Sequence, residues 1–442
     1  MSLLNIIILA GGESSRLFPL KEKNLFPFLG KVPLEIHLER VKKVNPGKIV
    51  LNINKTSRKL LEEILRKHPG RNIEIVEQKG YGMAGGVLTG LSRINPDEEL
   101  LVLNSNDFYS DSLFSDFQKL RKDLVTNGFS MIVGYETKNY FPGGYLELKN
   151  GFITNIIEKP GEGNAPSDYV NIVFHYFPKA GILQEALKRA KSVNDDVYEV
   201  ALASLMKKLL KFKMLKYSGE WKSIKYPWHI LDVMNFYLEQ IKGQKISKSV
   251  QISGKSTIKG NVIIEDGVKI FEGAVINGPV YLGKNTIVAN NALVRDSIIG
   301  EGCVIGYATE VARSYLKSNV WLHKDYVGDS VFEDNVSLGS NVITSNLRLD
   351  EQDIIIDIKG TKVNTNRNKL GVLIGSNVRI GSGVLLMPGV KIGSGSFVGP
   401  GVILESDVEE NKFIRIKQQI KVSKNKFDIT KTSRDQFSKK IK

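Results

Sequence analysis

The sequence predicts a two-part molecule: an α/β domain on a mostly parallel sheet over residues 1–241, then a parallel β-helix of hexapeptide repeats over 250–410. Three observations predict it. The first half alternates short apolar runs with stretches of helical apolar spacing, the pattern of strand–helix–strand units. From Ile252 onward aliphatic residues return at every sixth position. The chain is also 442 residues long, too many for one ordinary hydrophobic core.

The first half reads as follows. The run NIIILA at 5–10 ends in Gly11-Gly12 and reads as a buried parallel strand. The runs at 48–54, 72–78 and 99–107 read as further strands, and 34–44 and 57–68 as helices. Two strand-like runs flank Lys149-Asn150-Gly151, a hairpin signal. Residues 197–210 and 228–241 read as amphipathic helices, the second closing the domain, and 242–249, with Gly243 and several lysines, as a linker.

The repeat begins with eight hits at spacing six: Ile252, Ile258, Ile264, Ile270, Ile276, Leu282, Val288 and Val294. It slips by one residue to Ile299, Ile305 and Val311, continues at Tyr326, Phe332 and Leu338, and resumes from Ile374 to Leu404. Glycines follow the aliphatic position at Gly283, Gly306, Gly375, Gly381 and Gly393. A period of six fits neither an α-helix nor an alternating strand. It fits coils whose aliphatic side chains point into a narrow core, with glycines at the corners. Residues 346–370, basic around Lys359–Lys369, read as a loop ejected from the coils.

Composition narrows the function. With 42% hydrophobic and 25% charged residues, the chain is an ordinary globular protein. Its apolar runs fall short of the roughly 20 residues of a membrane helix, and the first lacks a basic leader and a small-residue cleavage site. One cysteine, Cys303, forms no internal disulfide and suits a reducing cytoplasm. Of the net charge of +15, nine units lie in the basic tail 411–442. The remainder suits phosphorylated small molecules, and neither nucleic acid nor membrane is expected as a partner.

The segment LAGGESSRL follows the first strand. Gly11 and Gly12 let backbone N–H groups approach phosphates, and Arg16 adds a neutralising charge. The segment resembles the signature of sugar-phosphate nucleotidylyltransferases. Arg16 falls on the signature arginine, Lys23 stands seven residues before Gly30-Lys31, Gly80 and Gly82 match a nucleoside-contacting element, Glu158-Lys159 matches a further element, and Asn171 follows it. The stretch YPWHILDVMNF resembles the closing helix of archaeal members. The resemblance implies a Rossmann-like nucleotidylyltransferase fold, with a nucleoside triphosphate or nucleotide sugar and a sugar 1-phosphate as ligands. Arg16 and Lys23 would neutralise phosphates, and Glu158 and Asn171 would contact sugar.

The departures are specific. Ser14-Ser15 replaces Gly-Thr before the arginine, Ser105-Asn106 replaces the Gly-Asp that ends the metal-binding strand, and Asp107 arrives one residue late. Trp221-Lys222-Ser223-Ile224-Lys225 stands where close members carry an aspartate at the Ser223 position and a glycine at the Lys225 position. Tyr81 and Val173 replace smaller residues near the base and the sugar. Both acidic metal positions are thus lost. No residue is expected as a confident metal ligand, Mg²⁺ is doubtful, and Asn106, Asp107 and Ser223 mark the positions where it would sit. Adjacent strand residues face opposite ways, so Asp107 is expected to point away unless the strand bulges. Nucleotidyl transfer is expected to be weakened or lost.

In the repeat, LHKDYVGDS resembles the catalytic segment of bifunctional uridylyltransferase/acetyltransferases, a family whose β-helix is left-handed. The resemblance puts His323 on the general base and Tyr326 on a sugar-phosphate contact, with Arg295 on phosphate, Asn346 on the sugar, and Ser382 and Arg415 beside acetyl-CoA. Ala312, with Arg313 adjacent, stands where a second phosphate-binding lysine is expected, and Gly339-Ser340-Asn341 departs from the family pattern before the loop. A neutral imidazole can take the proton of an amine attacking a thioester, with no acyl-enzyme and no role for Cys303. The family also implies a homotrimer with sites between subunits. His37, His68, His175 and His229 read as structural. The leading reading is therefore acetyl transfer to a hexosamine 1-phosphate. An active nucleotidylyltransferase with an unusual metal site, and a non-catalytic paralogue that binds sugar nucleotides, stand beside it.

Overall fold

The computed structural model describes residues 3–55, 58–66, 72–137, 140–141, 143–193, 196–208, 210–426 and 439. The helix reading of 57–68 is met by a helix over Arg58–Arg66, while His68 and the tail beyond 426, apart from 439, lie outside the described residues.

The α/β part runs β1 (Leu4–Ala10), α1 (Pro33–Val41), β2 (Ile49–Ile53), α2 (Arg58–Arg66), β3 (Ile73–Glu77), α3 (Gly82–Leu91), β4 (Glu99–Asn104), β5 (Asp107–Tyr109), α4 (Ser112–Asn127), β6 (Ser130–Glu136), β7 (Gly144–Lys149), β8 (Phe152–Glu158), β9 (Tyr169–Phe177), α5 (Ala180–Arg189), α6 (Val197–Lys207), β10 (Phe212–Tyr217), β11 (Trp221–Ser223) and α7 (His229–Leu238). Nine strands form one sheet in the order β3-β2-β1-β4-β9-β6-β10-β8-β7. The first four are parallel; beyond β4 the pairing is mixed, with β9 antiparallel to both β4 and β6. β1 is buried along its whole length because helices cover both faces, which is why its sequence does not alternate. The β7–β8 hairpin turns through Asn150 (φ 53°) and Gly151 (φ 79°), the left-handed pair that a two-residue turn needs.

The second part is a three-faced prism of parallel strands, most of two or three residues, with longer ones over Val275–Leu282 and Leu293–Ile299. One face stacks Ile252, Ile270, Val288 and Ile305, the next Ile258, Ile276, Val294 and Val311, the third Ile264, Leu282, Ile299 and Leu316; all but Ile252 and Ile258, in the first coil, are buried in the core. The phase slip has a local cause. At the edge between the second and third faces, three successive coils lose a residue, and each carries a serine: Ser297, Ser314 and Ser330. Ser314 N–H donates to Ser297 Oγ (3.0 Å), Ser330 N–H to Ser314 Oγ (3.1 Å) and Val372 N–H to Ser330 Oγ (3.0 Å). The ladder satisfies backbone groups that the shortened corner would otherwise leave unpaired. It also moves one core position: Val327, not Tyr326, points inward, and Tyr326 faces out.

Two other readings change. The stretch read as a linker holds a strand, Gln244–Ile246, which pairs with Val262–Ile264 and so begins the prism at once. The ejected loop contains an antiparallel hairpin, Ile355–Ile358 with Thr361–Asn364. It does not hang free: Ile354, Ile356 and Ile358 are buried in one apolar cluster with α7, and Arg367 pairs with Asp232 of that helix. The same cluster joins Leu17, Leu20, Phe26 and Phe28 to the outward residues of the third face, Tyr281, Ile298, Tyr315, Val331 and Leu373. That face is therefore covered by the α/β part, and the other two are open.

Candidate functional sites

The first site lies past the carboxyl end of β1. Gly11 has no room for a side chain: a β-carbon there would stand 2.4 Å from Gln78 Oε1 and 3.2 Å from Asn52 Oδ1. Gln78 Nε2 in turn donates to Gly82 O at 3.0 Å, which draws the Gly80–Gly82 turn at the start of α3 beside the Gly11–Gly12 loop. Gln78 carries this geometry and was not singled out from the sequence; its position one residue beyond β3 was the available signal.

The loop's far end is held by a carboxylate. Glu22, 7% exposed, accepts from Ser14 Oγ (3.2 Å), from Asn24 N–H (3.2 Å) and from Asn54 Nδ2 (2.8 Å), and Lys23 N–H donates to Ser14 Oγ (3.1 Å). Ser14, a departure from the family, thus fastens the loop to Lys23. The Lys23 ammonium lies 3.8 Å from where a Gly12 β-carbon would stand. Burial pushes its pKa down, while Glu22 and Asp107 act against that shift. Arg16 is exposed in the same field.

Asp107 does reach this site, against expectation. β4 ends at Asn104, the chain turns at Ser105-Asn106, and Asp107 opens β5 opposite Ser223 of β11. The alternation argument assumed one continuous strand. Asp107 accepts from Trp221 Nε1 (3.2 Å), and burial raises its pKa while Ser223, Lys225 and Lys23 oppose the shift. Asn106 turns its amide hydrogens to Ile224 O (3.2 Å) and Ser223 Oγ (3.5 Å), and its buried Oδ1 has no partner. Lys225 enters the same field: its ammonium sits 3.8 Å over the Phe141 ring, and its pKa is pushed down to about 8 by burial against the pull of Asp107 and Glu158. Among the described residues no group of three or more His, Cys, Asp or Glu side chains is placed to hold a metal ion.

Asn171 is less available. His175 Nε2 donates to its Oδ1 at 2.6 Å and His175 Nδ1 accepts from Tyr198 at 2.8 Å, a buried neutral histidine whose pKa is pushed down to about 3. His37 is also buried, donates to Ser105 O (3.1 Å) and has its pKa pushed down to about 3. His229, pushed down to about 4, lies 3.2 Å from Lys225 N–H. All three are structural.

The second site lies on an open face of the prism. His323 is exposed at the corner between Trp321–Leu322 and Tyr326–Gly328. Its backbone N–H donates to Asp325 Oδ2 at 2.6 Å, and Asp325, buried with its pKa pushed up to about 7, also accepts Val342 N–H. One coil below, Gly306 packs directly against the backbone at Leu322 and His323, with no space for a side chain. Above His323 the same register holds Gly339, Gly381, Gly399 and Arg415, four coils on. At about 4.8 Å per coil that edge runs roughly 19 Å. Ser382 is exposed beside it, its Oγ 2.8 Å from where a Gly339 β-carbon would stand. Arg415 is exposed over the Phe413 ring.

Across the same face, Arg313 makes a two-pronged pair with Asp329 (2.8 and 2.7 Å), Asn346 Nδ2 donates to Asp329 Oδ2 (2.5 Å), and Asn346 Nδ2 lies 3.3 Å from Tyr326 Oη. Gly328 lets the Tyr326 ring lie flat there, since a β-carbon would meet its Oη at 2.7 Å. Arg313 and Asp329 line a groove of about 850 Å³ shared with the ejected loop, and Asn346 and Tyr326 are joined to that pair. One coil below Arg313, Arg295 pairs with Glu310 at 2.8 Å, and the Arg295 carbonyl accepts from Arg313 N–H at 3.1 Å. Cys303 is fully buried, and burial pushes its thiol up to about 12.

The comparisons follow this geometry. Residues 5–240 match the nucleotidyl transferase family, and residues 371–406 match the bacterial transferase hexapeptide repeats. The chain belongs to the nucleotidyl transferase family, in the group whose members carry a hexapeptide transferase domain after it. It is similar over 96% of its length, at 32% identity, to the bifunctional protein GlmU of Methanococcus maripaludis strain C5, all of which is covered. The bifunctional sugar-1-phosphate nucleotidylyltransferase/acetyltransferase of Sulfurisphaera tokodaii is 31% identical over 86% of this chain and 91% of its own. The bifunctional protein GlmU of Methanocaldococcus jannaschii is 31% identical over 93% and 97%. Among the described residues no helix is long and apolar enough to cross a membrane.

Proposed function

We propose that the prism carries out acetyl transfer from acetyl-CoA to the amino group of a hexosamine 1-phosphate, with His323 as general base. The observation that carries this is the exposed imidazole at the foot of a side-chain-free edge that ends at Arg415. The glycines put no side chains on this edge, so an extended thioester lying along it would have Ser382 near its reactive end and Arg415 near its phosphates. Tyr326, Asn346 and Arg313 suit the sugar phosphate on the adjoining face. In the reaction the amine nitrogen attacks the thioester carbonyl, His323 takes the amine proton and passes it to the departing sulfur, and CoA leaves as the thiol. Arg295, paired with Glu310, and Arg313, paired with Asp329, are the two arginines on this face that suit the phosphate.

A homotrimer fits the two open faces. Their outward columns include Trp321, Phe397 and Phe413 on one and Ile343 and Ile403 on the other, each at least 45% exposed. Such residues are ordinarily covered by a partner.

In the α/β part we propose a site for a nucleoside triphosphate or a nucleotide sugar, with weakened or lost nucleotidyl transfer. Gly11, Gly12, Arg16 and Lys23 surround the phosphates, Gly80 and Gly82 the nucleoside, and Glu158 the sugar. Mg²⁺ takes oxygen ligands, chiefly carboxylates. Asn106 and Ser223 face each other instead, and the remaining carboxylate, Asp107, is engaged by Trp221. That donor set does not suit the ion.

The test is acetyl-CoA consumption with glucosamine 1-phosphate, read as free thiol, for the parent chain and His323→Ala. A fall of about 10²- to 10³-fold is expected. Inactivity of the parent with several amino-sugar phosphates would support the non-catalytic paralogue. Pyrophosphate-dependent turnover of UDP- or dTDP-sugars at rates typical of the family would support an active nucleotidylyltransferase instead.

A further inference from the structure

Lys225 is the feature of the α/β site that neither the motifs nor the family comparison accounts for. Its backbone is fixed on both sides. Ile224 N–H donates to Asn106 O at 3.1 Å, Asn106 Nδ2 donates back to Ile224 O at 3.2 Å, and Lys225 N–H lies 3.2 Å from His229 Nδ1. The side chain then crosses Phe141, with Nζ 3.8 Å from the ring centroid. Its ammonium ends in the field of Asp107 and Glu158, with Arg16 acting on it from the glycine loop. Asp107 in turn feels both Lys225 and Lys23. One positive charge is thus held, by a rigid backbone and an aromatic ledge, among groups drawn from the first loop, β5, β8 and the end of β11.

A fixed ammonium here does two things. It offers three N–H donors and a full charge to phosphate oxygens at a site where Arg16 and Lys23 already converge. It also repels a divalent cation placed beside Asp107, because like charges in a partly dry cleft interact strongly. Asn106, in the turn before β5, and Ser223, on β11, supply no negative charge to outweigh that repulsion. We infer that the Lys225 ammonium is the resident cation of this site, and that with Arg16 and Lys23 it holds nucleotide phosphates without a divalent metal. The inference rests on the reading that this site takes a nucleotide.

The experiment is calorimetric titration of the full chain with UTP as the probe, in EDTA and in millimolar MgCl₂. The parent should bind with affinities that agree within about threefold in the two conditions, and Lys225→Met should weaken binding in EDTA by about tenfold or more. Lys225→Arg, which keeps the charge, should restore most of the affinity and shows that a loss in the methionine variant is not misfolding. The double variant Ser223→Asp/Lys225→Gly should bind UTP in Mg²⁺ and lose about tenfold in EDTA. Parent binding that drops tenfold in EDTA, or a methionine variant that binds like the parent, overturns the inference and leaves the nucleotide reading standing. Failure of UTP, dTTP and UDP-N-acetylglucosamine to bind in either buffer overturns the nucleotide reading and this inference with it.

Discussion

The two candidate sites are assembled in opposite ways. In the α/β part, Gly11–Lys23, Gln78, Asp107, Glu158 and Lys225 come from five separate segments and meet only because the strands of one sheet, and the small β5–β11 pair, end at the same place. On the prism, His323, Gly339, Gly381, Gly399 and Arg415 occupy one position of a repeating coil. Convergence lets one substitution change the character of a site, as Lys225 does. Repetition makes a site hard to change without disturbing the coil that carries it.

Four experiments break or sharpen that contrast. The largest effect separates the sites outright. His323→Ala should remove acetyl transfer by about 10²- to 10³-fold and leave nucleotide binding unchanged, while Lys23→Ala should do the reverse. A variant that damages both would show the sites are not independent.

The second uses pH. His37 and His175 have folded pKa values pushed down to about 3, against about 6.5 when unfolded. Above pH 6.5 both states are neutral and the contribution is intact. From 6.5 down toward 3 the unfolded chain takes up protons that the folded one refuses, so stability falls, by about 1 kcal/mol per histidine at pH 5.5. Asp325 works in the opposite sense. Its carboxyl is pushed up to about 7, so the folded prism is disfavoured above that pH and relieved as pH falls toward 3.8. Hydrogen exchange, corrected for intrinsic rates, should therefore loosen β1–β4 and tighten the coils around Asp325 between pH 7 and 5. A uniform change would contradict this.

The third tests repetition. A β-carbon on Gly381 would stand 2.5 Å from Pro400 N, so Gly381→Ala should destabilise the prism by about 1–3 kcal/mol in urea unfolding, although its backbone φ is ordinary. The smallest effect is at the strap. Arg367→Ala breaks the pair with Asp232, which is partly exposed, and should cost about 0.5–1 kcal/mol, read as a small shift in melting temperature.

Much of the architecture was legible. The period of six placed the inward columns of the prism, because a core only one side chain wide admits few alternatives at each position. The slip at Ile299 was legible too, but its repetition was not: Ser297, Ser314 and Ser330 pair with each other across coils, and that relation appears only when the coils stack. Hence Tyr326 was placed inward although Val327 fills the core. The covered third face had no signal of its own. Adjacent apolar pairs such as Tyr281-Leu282 and Tyr315-Leu316 line it, but pairs such as Phe397-Val398 and Ile403-Leu404 line the open faces as well, so the sequence does not single it out.

In the candidate sites, His323, Arg16 and Lys23 were found from motif spacing. Asp107 was set aside because strand alternation was applied across a chain reversal at Ser105-Asn106. Gln78 is not legible in the sequence, and Arg313 and Lys225 show there only as departures from the family pattern, because the surroundings that give them roles come from the fold: the Gly11 loop for Gln78, the Asp329–Asn346 cluster for Arg313, Asp107 for Lys225.

The sequence by itself determined the two folds, the sixfold period of the coils and the candidate base at 323. These are properties of local periodicity and of short segments whose neighbours in space are neighbours in the chain. Only the tertiary structure decided which face of the prism is covered, which arginine joins Tyr326, and which cation sits beside Asp107. Those depend on charges and surfaces brought within a few ångströms by topology, and electrostatic and packing energies respond to distance in space, not to separation along the chain.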